Sequence, residues 1–202
     1  MHLRSSSSSS FAAVVFVLVG LVALAQGADY SGIARLHPDF TLSWTITTQG
    51  TATGGPVIAL TLQVNCQCWV GLGWHAQNAS AGGMSQADFV LTTFNNRNIT
   101  VSDRYSTSSN GGYGPPVLDT DIGGANNILA YSAFQTSYPL PFSTVTIVRE
   151  AKTGDTVADH PILPGPTNVI WAHGNLGSSD PNQLQYHGFG NRGTAVIDFY
   201  AN

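Results

Sequence analysis

The chain has 202 residues, with 7 Lys and Arg against 11 Asp and Glu and a formal net charge of −4. Nucleic-acid binding needs clustered Lys and Arg, so that class is excluded. Lys152 is the only lysine, and Ser, Thr, Asn and Gly supply most of the polar surface.

Residues 1–25 read as a secretory signal peptide. Arg4 and a serine run precede an apolar stretch over 11–25, and Ala23-Leu24-Ala25 forms a small-residue exit. Cleavage is expected after Ala25 or as late as residue 28. The apolar run is shorter than the ~20 residues that a bilayer span requires. No second hydrophobic span follows, so the mature chain is expected to be secreted, with no stable membrane span. Residues 29–202, roughly 175 residues, suit one domain around one core.

Short segments rich in Val, Ile, Thr, Trp, Phe and Tyr then alternate with Gly, Pro, Asn and Ser, the pattern of an all-β protein. The stretch 40–47 puts Phe40, Leu42, Trp44 and Ile46 on one face. After the Gly54-Gly55-Pro56 turn, 57–64 aligns Ile58, Leu60, Leu62 and Val64. Cys66 and Cys68 are either two small core residues or a minor local disulfide. A zinc site would need two more good ligands, and none is evident at a familiar spacing.

In the strand predicted over 69–74, Gly71 and Gly73 share a face opposite Val70, Leu72 and Trp74. So bare a side marks either a close ligand or backbone, or a bulge or tight sheet contact. Asn78-Ala79-Ser80 and Asn98-Ile99-Thr100 are sequons, which predicts a glycoprotein modified at Asn78 and Asn98. Between them, Gly82-Gly83-Met84-Ser85-Gln86-Ala87-Asp88 is a glycine-opened turn running into a strand. It carries the only methionine besides Met1.

Further strands are predicted over 88–94, 99–105, 127–134, 143–149, 168–172 and 194–199, with 106–124 as loop. Nothing reads as a long amphipathic helix. Frequent short connections favour antiparallel neighbours, hence a compact antiparallel β-sandwich.

Several motifs recur in order along this framework: Leu42-Ser43-Trp44, then Trp69-Val70-Gly71-Leu72-Gly73-Trp74, then Gly83-Met84-Ser85-Gln86-Ala87-Asp88. Val101-Ser102-Asp103-Arg104-Tyr105 and Val148-Arg149 follow. Asp159-His160-Pro161-Ile162 precedes Val169-Ile170-Trp171-Ala172-His173-Gly174, and Tyr186-His187-Gly188 closes the series. The series resembles the DOMON domain family over residues 39–199. The resemblance implies an immunoglobulin-like β-sandwich of extracellular proteins that binds either b-type haem or a sugar-like ligand.

In haem-binding members a methionine and a histidine ligate the iron, and the matching positions here are Met84 and His187. His173 is the alternative metal ligand, although histidine is uncommon at its position in the family. Trp69, Trp74, Phe89 and Tyr186 are candidate apolar walls of the haem site. Such a protein would carry single electrons, since Met/His ligation fills both axial positions. Relatives are often fused to a membrane cytochrome or a copper monooxygenase domain. This chain has neither, so its partner would be a separate extracellular or membrane redox protein.

The rival reading is a haem-free module for carbohydrate or another small ligand, with Trp69, Trp74, Tyr105 or Tyr113 as aromatic surface and Met84 merely packing. The absence of Cys-x-x-Cys-His excludes covalent c-type haem. No Gly-x-Ser-x-Gly and no nucleophile with its base is identifiable, so a carrier or binding domain is expected rather than an enzyme. His37 and His160 precede prolines and read as loop residues, while His75 ends the glycine-rich strand. Asp88 reads as a turn or amide-binding residue, and Asp155 and Asp159 as turn residues near Arg149.

Overall fold

The computed structural model describes residues 28–201, apart from 50, 52, 80–82, 96–97, 108–113, 138–139 and 178–183. The signal-peptide segment, Ser80 of the first sequon, Gly82 and Tyr113 therefore lie outside the described residues. Eleven strands form two antiparallel sheets, with no α-helix among the described residues. The expected antiparallel β-sandwich is the fold of this chain.

The strands are β1 (Tyr30–His37), β2 (Phe40–Thr47), β3 (Val57–Val64), β4 (Trp69–Trp74), β5 (Asp88–Asn95) and β6 (Asn98–Tyr105). They continue with β7 (Val117–Leu118), β8 (Ile128–Thr136), β9 (Phe142–Glu150), β10 (Pro166–Gly174) and β11 (Arg192–Asp198). One sheet has the order β1-β2-β3-β9-β8 and the other β11-β10-β4-β5-β6-β7.

Alternation sets the core. Phe40, Leu42 and Ile46 from β2 and Ile58, Leu60, Leu62 and Val64 from β3 are fully buried, and Trp44 nearly so. They meet Val70, Leu72 and Trp74 of β4 with Val169 and Trp171 of β10 from the other sheet. Burying each such side chain stabilises the fold by about 1.5–3 kcal/mol. The Trp44 indole N–H donates to the Phe199 carbonyl at 2.9 Å, so this core indole leaves no unpaired donor.

Two elements differ from the sequence reading. β1 was not expected because Gly32 interrupts its pattern. That glycine makes room for the Trp44 indole, which occupies the space a Cβ would need. The stretch 106–124 is not all loop: Val117 and Leu118 pair with Tyr105 and Arg104 as an edge strand, and Asp119–Ile122 forms a 3-10 turn. His37 ends β1 rather than lying in a loop.

Cys66 and Cys68 are joined by a disulfide in the bend between β3 and β4, with Cys68 buried in the core. Both open readings of these cysteines thus apply in part.

Candidate functional site

β4 is buried on both faces. Val70, Leu72 and Trp74 point into the sandwich, so Trp69, Gly71 and Gly73 point out of it. The neighbouring strands put Ile170 and Ala172 of β10, Phe89 and Leu91 of β5 and Thr194 of β11 on that same outer face. Ordinarily the outer face of a sandwich sheet is polar. Here loops cover it and leave a cavity of about 590 Å³, within the range of small-molecule and cofactor sites.

The cavity therefore lies on the outer face of the six-stranded sheet. Its roof comes from the Met84 turn, from Gly114, Pro115 and Pro116, and from Leu184, Gln185, Tyr186, His187 and Phe189.

The two glycines play different parts. A Cβ on Gly71 would make only ordinary contacts, at 3.7–3.9 Å from Trp69, Leu91 and Ala172, so the missing side chain leaves open floor. At Gly73 a Cβ would stand 2.5 Å from the Phe89 ring, which already fills the space. At Gly73 the space is thus taken by a cross-strand side chain of the same sheet rather than by a bulge or a sheet–sheet contact, while Gly71 keeps room for a close approach.

Met84 and His187 border this one cavity from separate loops. Met84 is half-buried against Ala87, Phe89 and Ile170. His187 is buried, and its Nδ1–H donates to the Gly188 carbonyl at 2.7 Å. That bond fixes the tautomer and leaves the Nε2 lone pair without a partner among the described residues. The ring lies against Tyr186, with centroids 4.4 Å apart, and meets Trp69 edge-on at 6.3 Å. Trp69 also donates its indole N–H to the Gln185 carbonyl at 3.1 Å, tying the His187 segment to the sheet.

Of the four expected walls, Trp69, Phe89 and Tyr186 line the cavity and Trp74 does not. Trp74 is fully buried in the sandwich core, on the opposite side of β4 from the glycines, where Arg149 stacks over its ring at 5.0 Å. Residue parity in β4 already separated Trp69 from Trp74. Of the aromatic residues in the sugar-binding reading, Trp69 lines the cavity, Trp74 is buried in the core and Tyr105 is not among the lining residues.

Sequence reasoning missed Leu91, Ile170, Ala172 and Arg192 as lining residues. The signal was present in β10, where Val169-Ile170-Trp171-Ala172 lacks polar alternation, as a strand covered on both faces does. Among the described residues, Arg192 is the one Lys or Arg lining the cavity, and its guanidinium lies 5.3 Å from the centre of the exposed Phe189 ring.

His173 faces away from this cavity, beside the disulfide. Its Nδ1 is 3.6 Å from Cys66 Sγ, its ring stacks on Trp171, and its Nε2 is buried without a partner among the described residues. Burial, with the nearby His37, holds its pKa below the usual histidine value. It does not line the cavity with Met84.

Two groups of metal-ligand residues converge elsewhere: Cys66, Cys68 and His173, and Asp88, Asp103 and Asp159. In the first, the sulfurs are consumed in the disulfide. In the second, Arg149 already supplies the counter-charge, at 3.3 Å from Asp88, 3.2 Å from Asp103 and 3.0 Å from Asp159. Asp88 also accepts the His160 backbone N–H at 2.9 Å, in keeping with an amide-binding role. Burial pushes the Asp103 carboxyl up to about 6 against the pull of Arg149. Asp119, with both carboxylate oxygens buried and unpartnered among the described residues, is pushed up to about 8 by burial and by Asp103 and Asp159.

Comparison with known proteins bears on this architecture. A family model described as DOMON domain matches residues 36–174, which includes Met84 but stops short of His187. Among solved structures, the cytochrome domain of Myriococcum thermophilum cellobiose dehydrogenase aligns at a TM-score of 0.50. It is 12% identical, over 84% of this chain and 82% of that chain. The cytochrome b domain of pyranose dehydrogenase from Coprinopsis cinerea aligns at a TM-score of 0.49, with 13% identity, over 80% of this chain and 77% of that chain. At these identities the likeness concerns the fold. No curated protein matches the sequence.

Proposed function

The chain belongs to the DOMON domain family, and from that premise we propose that it is a secreted b-type haem protein for one-electron transfer. Met84 and His187 are the iron ligands in this reading. The observation that carries it is that these two residues, far apart in sequence, border one largely apolar cavity of about 590 Å³. A cytochrome domain of similar fold supports the same reading.

The donor set fits the group. A thioether and an imidazole are donors that would hold haem iron, and His187 has Nδ1 committed to Gly188, leaving Nε2 for such a role. Trp69, Phe89, Leu91 and Ile170 provide apolar walls for a macrocycle, and open floor over Gly71 leaves it space. Arg192 supplies a positive charge to balance acidic substituents on an otherwise apolar ligand. Haem held by these residues would supply a ferric/ferrous couple of raised potential.

The remaining work falls to the chain. The Gly188 carbonyl orients the His187 ring, the Trp69–Gln185 bond holds its segment, and the sheet face excludes water from the site. Tyr186 and Phe189, both exposed and in T-shaped contact at 6.2 Å, stand beside the cavity where a redox partner would approach. Export is part of the proposal, with 1–25 removed and glycans on Asn78 and Asn98. Asn78 is exposed. No helix among the described residues is long and apolar enough to cross a membrane.

The visible spectrum of protein produced with ample haem tests the reading. A sharp Soret band with low-spin reduced α and β bands is expected, lost or converted to high spin in Met84→Ala and in His187→Ala. His173→Ala should leave the spectrum unchanged. A colourless wild-type protein that takes up no added haem would sink the proposal.

A further inference from the structure

The turn that carries Met84 is held in an unusual shape. Gln86 has a φ of 54°, a left-handed conformation that residues with side chains seldom adopt. Among the described residues, Ala87 N–H donates to the Met84 carbonyl within the turn at 3.3 Å, and Ser106 flanks it, accepting the Gln86 N–H and donating to the Ala87 carbonyl, both at 3.0 Å. Contacts from outside the turn also favour this shape over the alternatives open to a glycine-led loop.

Two histidines from separate elements reach it. His75, at the end of β4, donates its Nε2–H to the Gly83 carbonyl at 3.0 Å. His160, from the segment between β9 and β10, donates its Nε2–H to the Gln86 carbonyl at 2.8 Å. One bond thus lands on the residue just before Met84 and the other on the strained residue just after the turn's middle.

Both histidines are themselves anchored. His75 N–H donates to the Asn168 carbonyl of β10 at 3.1 Å, and its side chain is buried. His160 is pinned at both backbone groups: its N–H donates to Asp88 at 2.9 Å, and its carbonyl accepts the Trp74 indole N–H at 2.8 Å. Asp88 is held in turn by Arg149, and the His160 ring rests against Tyr105 at 5.8 Å.

We propose that His75 and His160 are positioning residues that clamp the Met84 turn and so fix where the thioether is presented. Gly83 and Gln86 are exposed residues, so water could satisfy their carbonyls. The two hydrogen bonds therefore go beyond satisfying buried groups and act as positional restraints. Trp74 contributes through this chain of contacts, without touching the cavity. The consequence for haem rests on the reading of Met84 as an iron ligand, whereas the clamp itself is a property of the chain.

The test uses the full chain with His75→Ala and His160→Ala, each beside His75→Gln and His160→Gln, whose side-chain amide N–H can still donate. In haem-free protein, native-state exchange of the Ala87 amide is followed relative to the Leu60 amide of β3, which reports global unfolding. Each Ala variant should accelerate Ala87 exchange at least tenfold relative to Leu60, and each Gln variant should restore protection. In haem-loaded protein, the Ala variants should lose the near-infrared sulfur-to-ferric-iron band and shift to a lower potential, with recovery in the Gln variants.

Unchanged relative exchange overturns the clamp, as does loosened exchange with an intact methionine signature in loaded protein. If the wild type takes up no haem, the haem reading fails by itself, and relative exchange still decides whether these histidines hold the turn.

Discussion

The outer faces of the two sheets have diverged although both belong to one sandwich. On the five-stranded sheet, Ser43, Thr61, Thr146 and Ser132 fall into register across β2, β3, β9 and β8, and Thr61 and Thr146 share a hydrogen bond of 2.9 Å. Their hydroxyls face water, as expected of a sheet with one wet side. On the six-stranded sheet the corresponding positions hold Phe89, Gly71, Ile170 and Ala172, and loops roof them. The fold supplies two similar surfaces. The side chains decide which of them is left to water and which becomes a cavity.

The largest effect is expected in the seam that keeps both faces in place. Arg149→Ala strands the buried carboxylates of Asp88, Asp103 and Asp159 and should cost about 3–5 kcal/mol of stability, measured by urea unfolding. A cost below 1 kcal/mol would mean the faces are held together by apolar packing alone.

A matched pair of substitutions probes the faces directly. Gly71→Leu should fill the cavity floor and weaken haem binding roughly 100-fold, about 2.7 kcal/mol. Thr61→Leu on the other face should leave haem affinity unchanged. Equal effects in a haem titration would break the distinction between the faces.

Gly73→Ala tests the division of labour between the two glycines. Its Cβ collides with the Phe89 ring, so a loss of about 1–3 kcal/mol in unfolding free energy is expected. Gly71→Ala, which meets only ordinary contacts, should cost less.

The seam also predicts a graded pH response. Unfolded, Asp119 ionises near 3.8; folded, it keeps its proton up to about 8. The folded chain then binds one more proton at this group across that interval, so the Asp119 contribution to stability is full below about pH 4 and declines as pH rises towards 8. Asp103 adds to the decline up to about 6. Asp119→Asn should lessen the decline of the thermal midpoint between pH 6 and 8, with Asp88, whose carboxyl burial also raises, supplying part of what remains. A wild-type midpoint that rises over this range would contradict the buried seam.

The smallest change is expected at Thr61→Val on the hydroxyl face, within about 0.5 kcal/mol by the same unfolding measurement.

Much of the framework was legible from local pattern. Three strands, β2, β3 and β4, have the predicted limits, because alternation of apolar residues over 40–47 and 57–64 depends only on neighbours in the chain. β1 escaped because Gly32 is explained by Trp44, a residue of the next strand. Trp69, Phe89 and Tyr186 were legible as aromatic walls by type. Trp74 was misplaced because its residue type outweighed its parity in β4. Ile170 and Ala172 were not singled out, although the apolar run over 169–172 is what a strand covered on both faces shows. His75 and His160 gave no sign of a shared role, because the carbonyls they hold belong to a turn elsewhere in the chain.

By itself, then, the sequence determined the all-β class, the pairing of apolar residues on the strands' inner faces, and the family pattern that singles out Met84 and His187. These follow from periodicity and order, which are properties of the chain read one neighbour at a time. Only the tertiary structure decided that the cavity lies on the outer face of the six-stranded sheet, that Trp74 serves the core, and that two distant histidines reach the Met84 turn. Those facts depend on which strands become neighbours and which loops fold back over them, and side chains from distant segments meet only when the sandwich closes.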